Sequence, residues 1–524
     1  MIFRRERILG VSDNNTTNYK TQLNGRLQYE TTIAQNHNIG AMFVYSEEYW
    51  HTRSTGASRN DRIHPSTSEI NSALTNVQSN SGSSASEGLR SYIGRMNYSA
   101  YDKYLLEFSF RVDGSSKFIK GHQYGFFPTV AVGWRFTEEE FLKKYLSSWL
   151  SSGKLRASWG KLGDNSGVGR FEQLETLTAM NYMSSDVVKG FVNKKMINKD
   201  LSWEVSTDIN VGLDLGFLNN RLRTEIDFYN RLRTGMNRPS QMSIHLTGAY
   251  SAPRANIGDL LNRGLELNLT WKDKIGNVEY SVNLNGAYNR TVLKEWNEFL
   301  SRGWVYLDMP YHFLYVYENN GIAQTWQDIY NNTPQGLSPG DVIRKDLNGD
   351  GIIDGKDKKA YPNIQRDRPT TTYGITLQAA WKGFDISMLF NGGLGRKDFW
   401  LTDFNNTAFA DRRYASTWDH WTEPWSLENR GGEWPRLGTS TDRSDNSYWL
   451  YNMNYLRMKN IMLGYNLPKK LLSKISMTNL RIYASAENLF TVTQYPGLDP
   501  EKKNSARDLY PINRSFSIGL NVSF

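Results

Sequence analysis

The chain has 524 residues, no cysteine, and 62 Lys plus Arg against 53 Asp plus Glu, for a net charge of +9. The absent thiols exclude disulfides, thiolate metal sites and cysteine nucleophiles. The basic residues are scattered rather than gathered in a stripe, which argues against a nucleic-acid partner. Hydrophobic residues are 39%, and no stretch nears the roughly 18 consecutive apolar residues of a membrane-spanning helix. A barrel strand escapes that test, because it needs an apolar residue only at alternate positions. The first residues, MIFRRERILG, carry charge but no apolar core of a signal peptide, so any exporting segment is expected elsewhere.

From residue 20 onward the dominant signal is alternation. Leu23, Leu27 and Tyr29 face away from Asn24, Arg26, Gln28 and Glu30. Val205, Thr207, Ile209, Val211, Leu213, Leu215 and Phe217 repeat the pattern, as do Leu222, Thr224, Ile226 and Phe228 opposite Arg223, Glu225 and Asp227. Val278, Tyr280, Val282 and Leu284 continue it, and Phe516, Ile518, Leu520, Val522 and Phe524 end the chain with it. A helix cannot hold this register, since its apolar face recurs at three and four residues. About fifteen such segments, each of about nine to twelve residues, are expected to begin near 20, 38, 91, 104, 129, 154, 204, 221, 262, 278, 370, 384, 456, 478 and 514.

Their connections alternate in length. Short ones fall near 31–37, 101–103, 218–220, 272–277 and 381–383; long ones fill 50–90, 113–128, 163–203, 235–261, 290–369, 391–455 and 490–513. EEEFLKKYLSSWL and PKKLLSKI, on the short side, have a helical rhythm. Pro65 to Glu87, rich in Ser, Asn and Gly, reads as a mobile external loop. Long loops at one end and short turns at the other predict an all-β, transmembrane antiparallel barrel of the outer-membrane type with long extracellular loops. Bacterial barrels have even strand numbers, so fifteen strands predict part of a larger barrel; residues 1–19 could supply a sixteenth.

Several stretches then carry a family resemblance. GRMNYSAYDKYLLEFSFRVDGSSKF (Gly94–Phe118), FFPTVAVGWRFTEEEF (Phe126–Phe141), LRASWGKLGDNSGVG (Leu155–Gly169), LSWEVSTDINVGLDLGFLNNRL (Leu201–Leu222) and NIGDLLNRGLELNL (Asn256–Leu269) are among them. The most specific are YLRMKNIMLGYNLPKKLL (Tyr455–Leu472) and RIYASAENLFTVTQYPGLDPE (Arg481–Glu501). The chain resembles the SusC/RagA-type TonB-dependent outer-membrane transporters of Bacteroidetes. That resemblance implies a barrel of about 22 strands around a plug, with the chain as its C-terminal part and with plug and signal peptide lying outside it. It implies TonB-dependent uptake of glycans or similar large nutrients, with a SusD-like surface lipoprotein as lid and TonB acting through the missing N-terminal regions. A passive sixteen-stranded porin and a secreted calcium-stabilised β-rich glycan-binding or hydrolytic protein are the alternatives.

Two features suggest sites. DLNGDGIIDGKDKK places Asp346, Asn348, Asp350, Asp354 and Asp357 at calcium-ligand positions 1, 3, 5, 9 and 12, with the Ile352 carbonyl at 7 and Gly351 at the turn. The expectation is a structural Ca²⁺ bracing an external loop; an Asx-turn-rich loop without metal is the alternative. Six of the 16 tryptophans, Trp400, Trp418, Trp421, Trp425, Trp434 and Trp449, crowd one long loop. Trp418, Trp421 and Trp425 have the spacing of a helix face, whereas Trp400, Trp434 and Trp449 are candidates for stacking on a sugar. GIIDGKD fails as a phosphate loop: only three residues separate its glycines, and Asp357 stands where Ser or Thr belongs. No catalytic constellation emerges, so no enzyme is expected.

Overall fold

The computed structural model describes residues 10–523, apart from 63, 65, 76–77, 147–148, 184–186, 194, 248–250, 298–305, 311–312, 366–367, 400–422, 433, 437–445, 473–476 and 503–510. Fifteen strands form one antiparallel sheet in strict sequence order. They are β1 (Val11–Ile33), β2 (His37–Arg59), β3 (Gln78–Ala100), β4 (Tyr104–Ser115), β5 (Tyr124–Trp134), β6 (Leu150–Asp164), β7 (Glu204–Phe217) and β8 (Leu222–Thr234). The remainder are β9 (Asp259–Ile275), β10 (Val278–Glu295), β11 (Thr371–Trp381), β12 (Phe384–Leu394), β13 (Tyr455–Asn466), β14 (Asn479–Thr493) and β15 (Ser515–Ser523).

Alternation translates directly into two chemically distinct faces, because successive side chains of a strand point to opposite sides. Phe228 of β8 lies between Val211 of β7 and Leu265 of β9, and Ile226 between Leu213 and Leu267. One residue out of step, Glu225 lies between Asp214 and Asn268, and Tyr229 between Asn210 and Gly264. The apolar members are left open: Phe228 and Leu265 are each 49% exposed, and Ile518 of β15 reaches 85%. A water-soluble sheet would bury such a face against a second layer. Here the apolar face has no such layer, and the polar face carries ion pairs such as Arg156 with Asp214 and Asp227 at 2.8 and 2.9 Å.

The turns at one end are tight. Ala34 and Gln35 sit at φ 50° and 64°, Tyr101 and Asp102 at 54°, and Lys382 and Gly383 at 48° and 92°. Paired left-handed residues are what a two-residue hairpin between right-twisted strands requires. The longer connections at this end carry helix α1 (Glu140–Leu146) and a short helix at Lys469–Leu472, as the rhythm of those segments predicted. Every long loop lies at the opposite end.

Three expectations need correction. Strands β1 to β3 have 23 residues each rather than nine to twelve, and β6 to β10 and β14 also run longer, from 13 to 18 residues. Residues 11–19 therefore belong to β1, and the 50–90 connection shrinks to 60–77. The Ser/Asn/Gly-rich stretch is only partly loop, since Gln78 to Glu87 pairs residue for residue with Trp50 to Arg59. Its poor strand propensity yields to an unbroken ladder on a long neighbour. Finally, β1 pairs with β2 and β15 with β14, and the sheet order leaves β1 and β15 as its two edges. The described strands thus do not close on themselves as a self-contained porin would; the stretch IFRRERIL lies outside the described residues.

If the apolar face meets hydrocarbon, Phe228→Arg should cost about 2–4 kcal/mol in the unfolding free energy of the membrane-inserted protein. Asn210→Arg, one row away on the polar face, should cost less than about 1 kcal/mol by the same measurement, a denaturant titration of heat-modifiable gel mobility.

Candidate functional site: the loop cap and the polar wall

At the long-loop end, two connections fold on each other. In 296–370, strand Phe313–Tyr317 pairs with Lys358–Gln365, and Asn319–Ile322 with Val342–Arg344. Helix Trp326–Tyr330 begins at Thr325, whose hydroxyl accepts from the Asp328 N–H while Asp328 caps the Thr325 N–H. The Thr325 N–H and hydroxyl, with the Gln324 N–H, donate to the Asp328 carboxyl and hold it below the usual carboxylate range. The second connection, 395–454, pairs Lys397–Phe399 with Leu450–Asn452.

Leu314 and Val316 from the first loop bury against Phe399 and Trp449 from the second, with Tyr361, Ile364, Trp434, Tyr448 and Leu450 around them. Arg436 grips Asp341 with two hydrogen bonds of 2.7 and 3.1 Å, and the Trp425 indole donates to Gln324 at 2.9 Å.

This core changes the reading of the tryptophans. Trp449 is 5% exposed and stacks on Trp434 at 6.2 Å. Trp434 also packs against buried Met453 and Tyr495. Trp449 is thus closed off within the loop core, while Trp434, half-buried, gives part of its surface to joining the loops. Trp425 is buried in an irregular segment. Trp400, Trp418 and Trp421 lie outside the described residues.

A third loop, 494–514, is pinned to the rim by charge. Arg457, at the loop end of β13 and 3% exposed, meets Asp499 at 2.7 Å and Glu501 at 2.6 Å. A bulge leaves Lys459 out of the ladder, so its ammonium reaches the same Glu501 at 3.1 Å. Tyr455 and Asn391 donate to the other Glu501 oxygen at 2.9 and 2.6 Å. Burial opposes ionisation of Glu501, but the Asn391 and Lys459 donors and the Arg457 charge outweigh it and hold the carboxyl below the usual range. Arg396, 1% exposed, donates to the carbonyls of Pro500, Glu501 and Lys502, each at 3.1 Å. Sequence reasoning did not single out these residues. The available signal was the alternating charge in LRMKN and YPGLDPE, the two stretches with the most specific resemblance.

The Asp346 loop is a compact nest of Asx turns. Asp346 accepts from the Gly349 and Gly351 N–H groups at 2.6 and 2.9 Å. Burial works against its charge, and those two donors prevail, holding its carboxyl below the ordinary range. Asp357 is fully buried and accepts from Leu347 and Asp354 at 2.9 and 2.8 Å. Asp350 and Asp354 diverge toward Lys356, whose ammonium is 3.8 and 3.9 Å away. Among the described residues no three carboxylate or imidazole groups converge on one metal-sized point. The structure brings Asp346 and Asp357 together and leaves Asp350 and Asp354 on the lysine.

On the polar wall near the turn end, a concavity of about 810 Å³ is lined by Glu30, Asn97, Glu107, Lys154, Arg156 and Asn210, among others. Charges of both signs and neutral amides share it. Further round the wall neutral groups stand among the charges: Asn283 donates to Asn268 and Thr270, and Ser281 to Gln378, beside Glu225 and Lys272. Such a surface hydrates and hydrogen-bonds a polar solute without trapping it by net charge.

Comparison with known proteins adds the following. The family model described as "TonB dependent receptor-like, beta-barrel" matches residues 4–335. TonB-dependent receptor P3 of Formosa agariphila is 30% identical over 476 residues, covering 83% of this chain and 45% of that protein. TonB-dependent receptor SusC of Bacteroides thetaiotaomicron is 30% identical over 456 residues, 83% of this chain and 44% of its own. Among solved structures, the RagAB peptide transporter superposes over 98% of this chain and 56% of that one, with TM-score 0.82 and 23% identity. The chain thus spans about half the length of the curated relatives it matches.

Arg457→Met should strand Asp499 as an uncompensated buried charge and cost about 3–5 kcal/mol of loop docking. Hydrogen-exchange protection of residues 495–502 should fall accordingly, and pairing it with Asp499→Leu should restore most of it. Because the folded-state pKa of Glu501 is lowered, its contribution is complete at neutral pH. It is lost as pH falls through and below the ordinary glutamate range. Protection of the same amides, corrected for intrinsic exchange, should drop over that acid window, and Glu501→Gln should remove the dependence.

Proposed function

This chain belongs to the TonB-dependent receptor β-barrel family and is an outer-membrane protein, and we propose that it forms the wall of an active nutrient importer. One observation carries this reading: a sheet with an open apolar face and a polar face, whose long loops all lie at one end, three of them packed into a cap. Its edges, β1 and β15, cannot stay open in hydrocarbon, where unpaired N–H and C=O groups have no water to satisfy them. Further strands, to about 22 in all, would close the wall, and the greater length of the relatives leaves room for them and for a plug.

The substrate class we assign is a large polar nutrient, a glycan or a similar oligomer. The support is the polar lining of the wall, where charges of both signs stand among neutral amides and hydroxyls. The cap would meet a SusD-like lipoprotein that closes over the ligand, and TonB, acting through the plug, would open the route inward. RagAB, whose fold this chain shares, is a peptide transporter, so a peptide is the competing substrate for the same wall. Deleting the coding segment should abolish uptake of the cognate oligomer, and a protonophore or loss of TonB should do the same. Uptake that persists without TonB would instead indicate a passive pore.

Calcium at the Asp346 loop is also proposed. The donors are all hard oxygens at suitable spacing, and Asp346 and Asp357 already share one side of the loop. The Lys356 ammonium stands between Asp350 and Asp354 as a substitute cation. Asp346, Asn348, Asp350, the Ile352 carbonyl, Asp354 and Asp357 would hold the ion, whose contribution is charge neutralisation that stiffens the loop. Affinity in the extracellular class, Kd about 10⁻⁴–10⁻³ M, would suffice outside the cell. Calorimetric titration should show one site in that range, absent in Asp350→Asn with Asp357→Asn, and chelator should lower the protease resistance of residues 345–358.

A further inference from the structure

The connection between β5 and β6, at the periplasmic end of the wall, does not hang free below the barrel. It folds back onto the lipid-facing side. Phe136 covers Gly153, where an added Cβ would come within 2.3 Å of the ring. Gly153 shares its face with Leu155, Ala157 and Trp159. Thr137 accepts from the Gly153 N–H at 2.9 Å. Next to it, buried Glu139 takes hydrogen bonds from the Tyr104 hydroxyl at 2.5 Å, the Trp134 indole at 3.1 Å and Lys103 at 3.4 Å. Tyr104 and Trp134 are cross-strand partners on that same outer face. At the far end of the connection, Trp149 stacks on Phe217 at 5.9 Å, another lipid-facing residue.

Between these two tethers runs α1. Its inner side is apolar in the ordinary way, with Leu142 and Leu146 half-buried. Its outer side is apolar as well: Phe141 and Tyr145, one helical turn apart, are 64% and 75% exposed. A surface helix in water turns polar residues outward. Among the described charges on and beside this helix, Lys143 pairs with Glu138 at 3.7 Å, and Glu139 is occupied by its three donors. Glu140 and Lys144 are exposed. Aromatic rings beside lysines, on a helix that starts next to the Glu139 contact with Tyr104 and Trp134, form the chemistry of a membrane interface.

We propose that α1 is an in-plane membrane anchor, lying outside the barrel wall in the headgroup layer of the periplasmic leaflet. Phe141 and Tyr145 enter the acyl boundary, while Lys143 and Lys144 remain among the phosphates. The occupant of this face is phospholipid, because the helix is continuous with the lipid-facing surface of β4 to β7 and is tied to it at both ends. The anchor fixes the depth of the wall on the side bearing the polar concavity. It rests on the membrane reading above.

The chain lacks cysteine, so Tyr145→Cys gives a unique thiol for an environment-sensitive fluorophore. The membrane-inserted protein is reconstituted in phosphatidylethanolamine–phosphatidylglycerol bilayers. Bromines near the lipid carbonyls should quench this label at least twofold more than one at Tyr330→Cys in the extracellular loop, and aqueous iodide should quench it less. Adding Phe141→Asp should return the label to iodide. Quenching by iodide equal to that of the Tyr330 control, with less than twofold lipid quenching, would overturn the anchor and point to water or a protein partner. A Phe228→Cys label separates the two readings. Quenched by deep bromines, it upholds the spanning wall even if the anchor fails; unquenched, it removes the premise of both.

Discussion

Inside a bilayer no backbone N–H or C=O can look to water, and each one left unpaired costs several kcal/mol, on the order of the net stability of a small domain. Most of what this protein shows follows from that constraint. The strands must pair along their whole length in sequence order, because consecutive antiparallel pairing is the simplest way to satisfy every rung. Both faces must then be chosen by alternate residues, one for hydrocarbon and one for the aqueous interior. The same constraint makes β1 and β15 incomplete as they stand and sets the requirement for strands beyond them.

Freedom returns only where the chain leaves the membrane. At the periplasmic end it is used sparingly, in two-residue turns with left-handed backbone and one helix folded back on the wall. At the outer end it is used to build a second structure, held by means the wall cannot use. The cap has a small aromatic core, Leu314, Val316, Phe399 and Trp449, and a buried charge cluster. Arg457 and Arg396 take the last loop by its carboxylates and its carbonyls. The described parts of these three loops therefore pack as one unit rather than as separate loops. The bulge at Lys459 shows the two regimes meeting, since one rung of the ladder gives way so that a lysine can join the cap.

The fold was largely legible because period two is a local signal that tertiary context reinforces. All fifteen strands appear in the expected order, and Ile226 or Phe228 could be assigned a face from sequence alone. What was not legible depends on partners distant in the chain. Gln78 to Glu87 has the composition of a linker, and only the facing ladder of β2 makes it strand. Trp449 has the composition of a sugar platform, and only the approach of Leu314 and Val316 from another loop shows that it is packing. Arg396 and Arg457 looked like two more scattered cations, because nothing local reveals that Pro500 and Asp499 come to them. The Asp346 motif was legible as spacing, but spacing alone does not say whether Asp350 and Asp354 turn to a metal or to Lys356.

The central claim, that this sheet crosses the outer membrane with its apolar face in lipid, is tested most directly on β8. Single cysteines placed in turn from Leu222 to Thr234 can be challenged, in native outer membranes, with a water-soluble and a lipid-soluble thiol reagent. The account predicts strict alternation. Positions 224, 226 and 228 should react only with the lipid-soluble reagent, and 225, 227 and 229 with the water-soluble one. Uniform reaction with the aqueous reagent along the strand would contradict it.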